Sequence, residues 1–175
     1  MPTLSREAAP SRNNHGSRRW GGHASAGLAR VEYNATDGPQ YPIWLAAAGA
    51  WFKPSHIHRF GLDAEYENNV SIREFYSYLN YFDSERAAQR AAYRFGLAIS
   101  NEFIFGNLSI RLLLGRYLGP SNINQFVPLS NYSKLGLRYY APAIPHTSLR
   151  FFGGVSLKAH AAIAEYISWH TGFIF

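Results

Sequence analysis

The stretch SLKAHAAIAEYISWHTGFIF, residues 156–175, sets His160 and Glu165 five positions apart in an apolar setting. An imidazole and a carboxylate are the two side chains that most often share acid–base work. A serine hydroxyl would make such a pair nucleophilic, and Ser156 and Ser168 are the serines of the same stretch. The plainer reading makes His160 and Glu165 polar residues beside a turn, and makes His170 a residue of a polar interior. Elsewhere the search returns little. The chain has no Gly-x-Ser-x-Gly elbow, no phosphate-binding glycine loop and no His-Glu-x-x-His helix. His56 and His58 share one strand face and could grip a metal, but no third ligand accompanies them, so no metal and no cofactor is expected.

Strand periodicity must position these residues. From about residue 21 the dominant repeat is two, the period of a strand. His58, Phe60, Leu62, Ala64 and Tyr66 fall on one face, and Arg59, Gly61, Asp63 and Glu65 on the other. The same alternation sets Leu97 and Ile99 against Ala98 and Ser100, and Leu135, Leu137 and Tyr139 against Lys134, Gly136 and Arg138. It recurs in about eight segments, at 22–33, 41–53, 56–66, 90–105, 107–118, 129–141, 147–159 and 164–175. Most are ten residues or longer, near the roughly 9–11 residues that a tilted strand needs to cross a bilayer.

One face is aromatic and aliphatic; the other holds Gly, Ser and charges of both signs. In a soluble lipocalin-like barrel the apolar face would turn inward. Here the polar face is rich in small residues, which suits a narrow interior filled with ion pairs. The large aromatics suit a lipid-facing belt. The expected fold is therefore all-β, an eight-stranded antiparallel outer-membrane barrel over residues 21–175. A short helix is expected in the insert at 67–89, where Ile72, Phe75, Tyr76 and Leu79 recur at helical spacing. Tight turns are expected on one rim, at Lys53-Pro54-Ser55, Gly106-Asn107 and Pro142–Pro145, with long loops at 67–89 and 119–128 on the other.

Composition agrees. The 175 residues carry a formal charge of +6, no cysteine, and 16% aromatic side chains. No apolar run approaches the roughly 18 residues of a transmembrane helix. Arg6, Arg12, Arg18 and Arg19 lie among Ser, Asn and Gly, so residues 1–20 read as a disordered basic leader. No groove-reading helix or motif supports nucleic-acid binding. The first residues lack an apolar signal core, which suggests that the chain begins inside a longer reading frame.

The segments GGVSLKAHAAIAEYISWHTGFIF, HIHRFGLDAEY, YRFGLAISNEFIFGNLSIRLLLGRYL and GLRYY resemble the PagL-type lipid A 3-O-deacylases. The similarity looks closest to the acyloxyacyl hydrolase-like members of Bacteroidetes, and it spans roughly residues 22–175. It implies an eight-stranded barrel of the bacterial outer membrane, closed by a last strand with an outward terminal aromatic, Phe175. It implies lipid A, the anchor of lipopolysaccharide, as partner and carboxylic-ester hydrolysis as reaction, through a lipid-facing Ser-His-Glu set. His160 and Glu165 are the residues that the resemblance marks as catalytic. The family serine follows its histidine by two positions in a His-x-Ser-Asn block, and Ala162 stands there in this chain. His15-Gly-Ser17, His23-Ala-Ser25 and His146-Thr-Ser148 are not followed by Asn. The expectation is thus a lipid A deacylase whose catalytic set is incomplete but whose outward aromatics and rim cations such as Lys158 still bind lipid A, set against a non-catalytic barrel, structural or adhesive, working through its loops and a soluble lipocalin-like binder.

Parity creates a difficulty within that expectation. His160 has the inward phase of Ser156 and Lys158, whereas Glu165 has the outward phase of Ile167, Trp169 and Phe175. The two side chains meet only if a bulge or the turn flips one of them.

Overall fold

The computed structural model describes residues 19–32, 38–78, 84–118, 130–160 and 163–175. Eight strands form a closed antiparallel barrel in sequence order: β1 (Trp20–Glu32), β2 (Gln40–Phe52), β3 (His58–Asn69), β4 (Tyr93–Phe105), β5 (Leu108–Leu118), β6 (Asn131–Tyr140), β7 (Arg150–His160) and β8 (Ile163–Ile174). Closure comes from β1 against β8, running from His23 opposite Ile174 to Ala29 opposite Ser168. It is sealed by reciprocal 3.0 Å hydrogen bonds between Gly22 and Phe175. With no free edge, every strand finds two partners, as a sheet in hydrocarbon must.

The alternation read from the sequence maps onto the two faces. Leu62 (59% exposed), Ile99 (63%) and Trp169 (71%) point outward, together with Phe60, Phe95, Leu97, Leu114, Leu135 and Leu137. Arg59, Asp63, Glu102, Arg111, Arg138 and Lys158 point inward and are buried. A soluble lipocalin-like barrel would reverse this, so the continuous outward apolar surface is a lipid-facing belt. Two inward glycines make the narrow lumen workable: a Cβ at Gly96 or Gly115 would run into the Tyr132 ring. That ring lies across both positions, and its hydroxyl thereby reaches Glu65.

The connections refine the expected pattern. One rim carries the start of β1, the end of β8, the turn after β2, the Gly106-Asn107 turn and residues 141–149. Gly106 takes φ 65° there, as a tight hairpin demands. The 141–149 connection is longer than the four residues expected. Thr147 turns back on the Ile144 carbonyl (3.1 Å), and Arg150 Nε holds the Ala141 carbonyl at 2.7 Å. The opposite rim bears the helical insert but also the short β7–β8 hairpin. The insert holds α1 (Val70–Tyr78), as expected, and a second helix, α2 (Glu85–Ala92), which displaces the start of β4 from 90 to 93. Residues 1–18 of the proposed leader, Leu79, the whole of the 119–128 loop and Ala162 lie outside the described residues.

Candidate functional site

The lumen is built as stacked ion pairs. Asp63 sits at the centre of the lower cluster, fully buried. It takes Arg111 Nη2 at 2.5 Å, Ser100 Oγ at 2.9 Å and His23 Nε2 at 2.7 Å. Beside it, Glu102 accepts from Arg59 Nη1 at 2.9 Å, and from the Ser109 and Tyr140 hydroxyls at 2.5 Å each. Further along, Glu65 accepts from Tyr132 at 2.6 Å and Lys134 at 2.8 Å. Nearest the helical rim, Glu67 accepts from Lys158 at 2.5 Å and the Tyr166 hydroxyl at 2.7 Å, with Arg94 Nη1 at 3.5 Å. Lys158 also bonds the Tyr117 hydroxyl.

His160 and Glu165 stand on top of this rim cluster. The parity difficulty resolves through a bulge in β8. Lys158 faces Tyr166, but the next residue of β7, Ala159, faces Ala164. Glu165 is the unpaired extra residue, so it turns inward beside Tyr166. Its carboxylate then meets three partners: His160 Nε2 at 2.7 Å, Lys158 Nζ at 3.0 Å and Arg94 Nη1 at 3.3 Å. The other nitrogen of His160, Nδ1, lies 3.0 Å from the backbone carbonyl of Asn131 at the start of β6. A carbonyl only accepts, so Nδ1 carries a proton and donates to it. The imidazole is thus clamped at both nitrogens, between a carboxylate and a carbonyl, with Tyr117 and Tyr132 rings 6.0 and 6.5 Å from it.

The structure brings His160 and Glu165 together and leaves the candidate serines elsewhere. Ser156 and Ser168 bond each other, Oγ to Oγ at 2.8 Å, deeper in the lumen. His146 and Ser148 belong to the 141–149 connection on the far rim. His170 is a lumen residue, as expected, and receives the Arg138 Nε–H at 3.4 Å. His58 packs edge-on to Phe103 at 4.8 Å, an aromatic-belt contact, and His56 lies exposed in the preceding turn. Among the described residues no three acidic or imidazole side chains gather as metal ligands.

One reading from the sequence needs correction. Lys158, taken as a rim cation open to a lipid headgroup, is 1% exposed and spent on Glu67 and Glu165. Among the described strand residues, Arg30 on β1 and Arg116 on β5 are exposed cations on the outward face near the helical rim. Arg94, Glu67, Tyr117 and Tyr166, which complete the rim cluster, were not singled out; their inward phase was readable, but their convergence was not.

Comparison with known proteins places this geometry in a lineage. A search of curated proteins returns no match. Among solved structures, Neisserial surface protein A (NspA) matches with a TM-score of 0.47 and 14% identity over 89% of this chain and 94% of that one. A de novo designed transmembrane β-barrel matches with a TM-score of 0.42 and 13% identity over the same shares. A family model described as the acyloxyacyl hydrolase C-terminal domain matches residues 21–175, the whole of the barrel. With its closed eight-stranded barrel and lipid-facing belt, the chain belongs to the acyloxyacyl hydrolase C-terminal domain family and is a protein of the bacterial outer membrane.

Proposed function

We propose that this chain engages lipid A in the outer leaflet, and that it is a lipid A deacylase by lineage with little or no turnover. The observation that carries the reading is the double clamp on His160, with Nε2 on Glu165 and Nδ1 on the Asn131 carbonyl. A serine-hydrolase histidine needs one nitrogen for the carboxylate and the other for the nucleophile. Here the carboxylate half is in place and the nucleophile half is occupied by backbone. The His160–Glu165 pair is therefore the candidate catalytic remnant, turned into the lumen rather than towards the lipid where the substrate lies. Ala162, where the family serine would stand, offers no hydroxyl.

Binding does not need that serine. The outward apolar belt can pack acyl chains, and Arg30 and Arg116 are placed to meet lipid A phosphates near the helical rim, which is the outer rim if long loops face outward. Native mass spectrometry of the barrel, released from detergent after incubation with lipid A or phosphatidylethanolamine, tests this. Lipid A adducts are expected to survive preferentially. The double variant Arg30→Ala/Arg116→Ala is expected to weaken them about 10–30-fold, since each basic residue near an anionic surface contributes roughly 1 kcal/mol. Equal retention of both lipids by the unaltered chain would remove lipid A as the preferred ligand.

A further inference from the structure

Among the described residues the Lys, Arg, Asp and Glu charges of the lumen do not balance. Five inward carboxylates each have a cation: Asp63 has Arg111, Glu65 has Lys134, Glu67 has Lys158, Glu102 has Arg59, and Glu165 has Arg94 and Lys158. Arg138 is a sixth inward cation, 6% exposed, and among the described residues no carboxylate oxygen comes within 4.0 Å of it. Glu102, the carboxylate whose charge it feels, has both oxygens taken by Arg59, Ser109 and Tyr140. What Arg138 does contact is weak for a buried guanidinium: His170 Nε2 at 3.4 Å, the Tyr140 hydroxyl and the Phe152 ring at 4.4 Å. Arg138 thus shares the field of Glu102 with Arg59, and a buried guanidinium without a carboxylate of its own is costly.

Space has been left beside it. Arg138 lines two lumen cavities, of about 60 Å³ and about 10 Å³. Small residues contribute to the larger: Gly27, Gly136, Ser156 and Ser168 line it together with Arg138, and none has a side chain long enough to fill it. Roughly 10–15 Å³ suffices for one water, so the larger cavity holds a small ion with part of its hydration. The Ser156 and Ser168 hydroxyls lie at its wall, bonded to each other, and the carboxylates that also line it, Glu65 and Glu67, are already paired with Lys134 and Lys158.

We propose that this cavity is a binding site for a small monovalent inorganic anion of chloride size, held by Arg138 and the Ser156–Ser168 hydroxyl pair, which supplies the sixth negative charge of the lumen. The site is independent of lipid A and of His160.

The full chain is refolded in detergent with the anion already present, in sodium chloride or in sodium gluconate at equal ionic strength. Gluconate, a bulky and weakly coordinating anion, serves as the comparison. Heating midpoints are read from the gel shift between folded and unfolded barrel. With chloride tenfold above its dissociation constant, the midpoint is expected about 3–5 °C higher in chloride. In Arg138→Gln the two salts are expected to give the same midpoint. No difference in the unaltered chain, or a difference that persists in Arg138→Gln, overturns the proposal. If Arg138→Gln does not refold, crystals of the unaltered chain grown in bromide decide. An anomalous peak beside the Arg138 guanidinium upholds the site, and its absence overturns it.

Discussion

Asp63→Ala is expected to destabilise the barrel by about 3–5 kcal/mol, the loss typical of removing one partner from a buried ion pair. Asp63 has no solvent exposure and holds Arg111, Ser100 and His23 at once. Without it Arg111 keeps only the Ser100 hydroxyl, at 2.8 Å, as a neutral acceptor. The strands β1, β3, β4 and β5 would lose their shared cross-lumen anchor. Most of the cost is the stranded charge rather than the lost bond. The double variant Asp63→Leu/Arg111→Met is therefore expected to recover the greater part, since apolar replacement of a whole buried pair is often close to neutral. Denaturant titration of refolded protein in lipid vesicles, followed by tryptophan emission, measures both. A loss under about 1 kcal/mol for Asp63→Ala would mean that water already screens this cluster.

The lipid face carries the second large effect. Ile99→Arg is expected to cost about 2–4 kcal/mol, the figure for a cation at the bilayer midplane of a barrel. Ile99 projects outward directly between Leu62 on β3 and Leu114 on β5, with an apolar side chain on either side. Leu97 is a poorer place for the same test, because its neighbour on β5 is the exposed Arg116, which marks a level close to the headgroups. One residue from Ile99, Ala98→Ser places its hydroxyl on the lumen side and is expected to cost about 1 kcal/mol or less. Similar small effects at both positions would contradict a membrane-facing belt.

The barrel was legible because period-two alternation is a local property. Phe60, Leu62, Ile99 and Leu137 announce the outward face, and Arg59, Asp63 and Arg138 the inward one, without knowledge of any neighbour. α2 was legible in principle and was missed. Its sequence ERAAQRAA is composed of strong helix formers with Glu85 in the first turn, but it carries no large apolar stripe to attract attention. The bulge at Glu165 was not legible. Its presence reverses the parity of one carboxylate, and nothing in AEYISW says which residue will be skipped, because the skip is fixed by how β7 and β8 pair. Convergence was not legible either. Lys158 and Glu67 are 91 positions apart and meet only through the lateral order and stagger of eight strands. That is also why Lys158 read as a rim cation: its inward phase was clear, its buried carboxylates were not.

The central claim is that a clamped His160, with Ala162 in the serine's place, leaves this member of the family without appreciable deacylase turnover. Mass spectrometry of lipid A from Gram-negative cells that carry the full chain in their outer membrane, behind a signal peptide, tests it most directly. Loss of a serine nucleophile removes orders of magnitude of rate, so the lipid A mass profile is expected to match that of cells without the protein. A species lacking one acyl chain, present with the unaltered protein and absent with Glu165→Ala or His160→Ala, would contradict the account and turn the search for a nucleophile to Ser156 or Ser168.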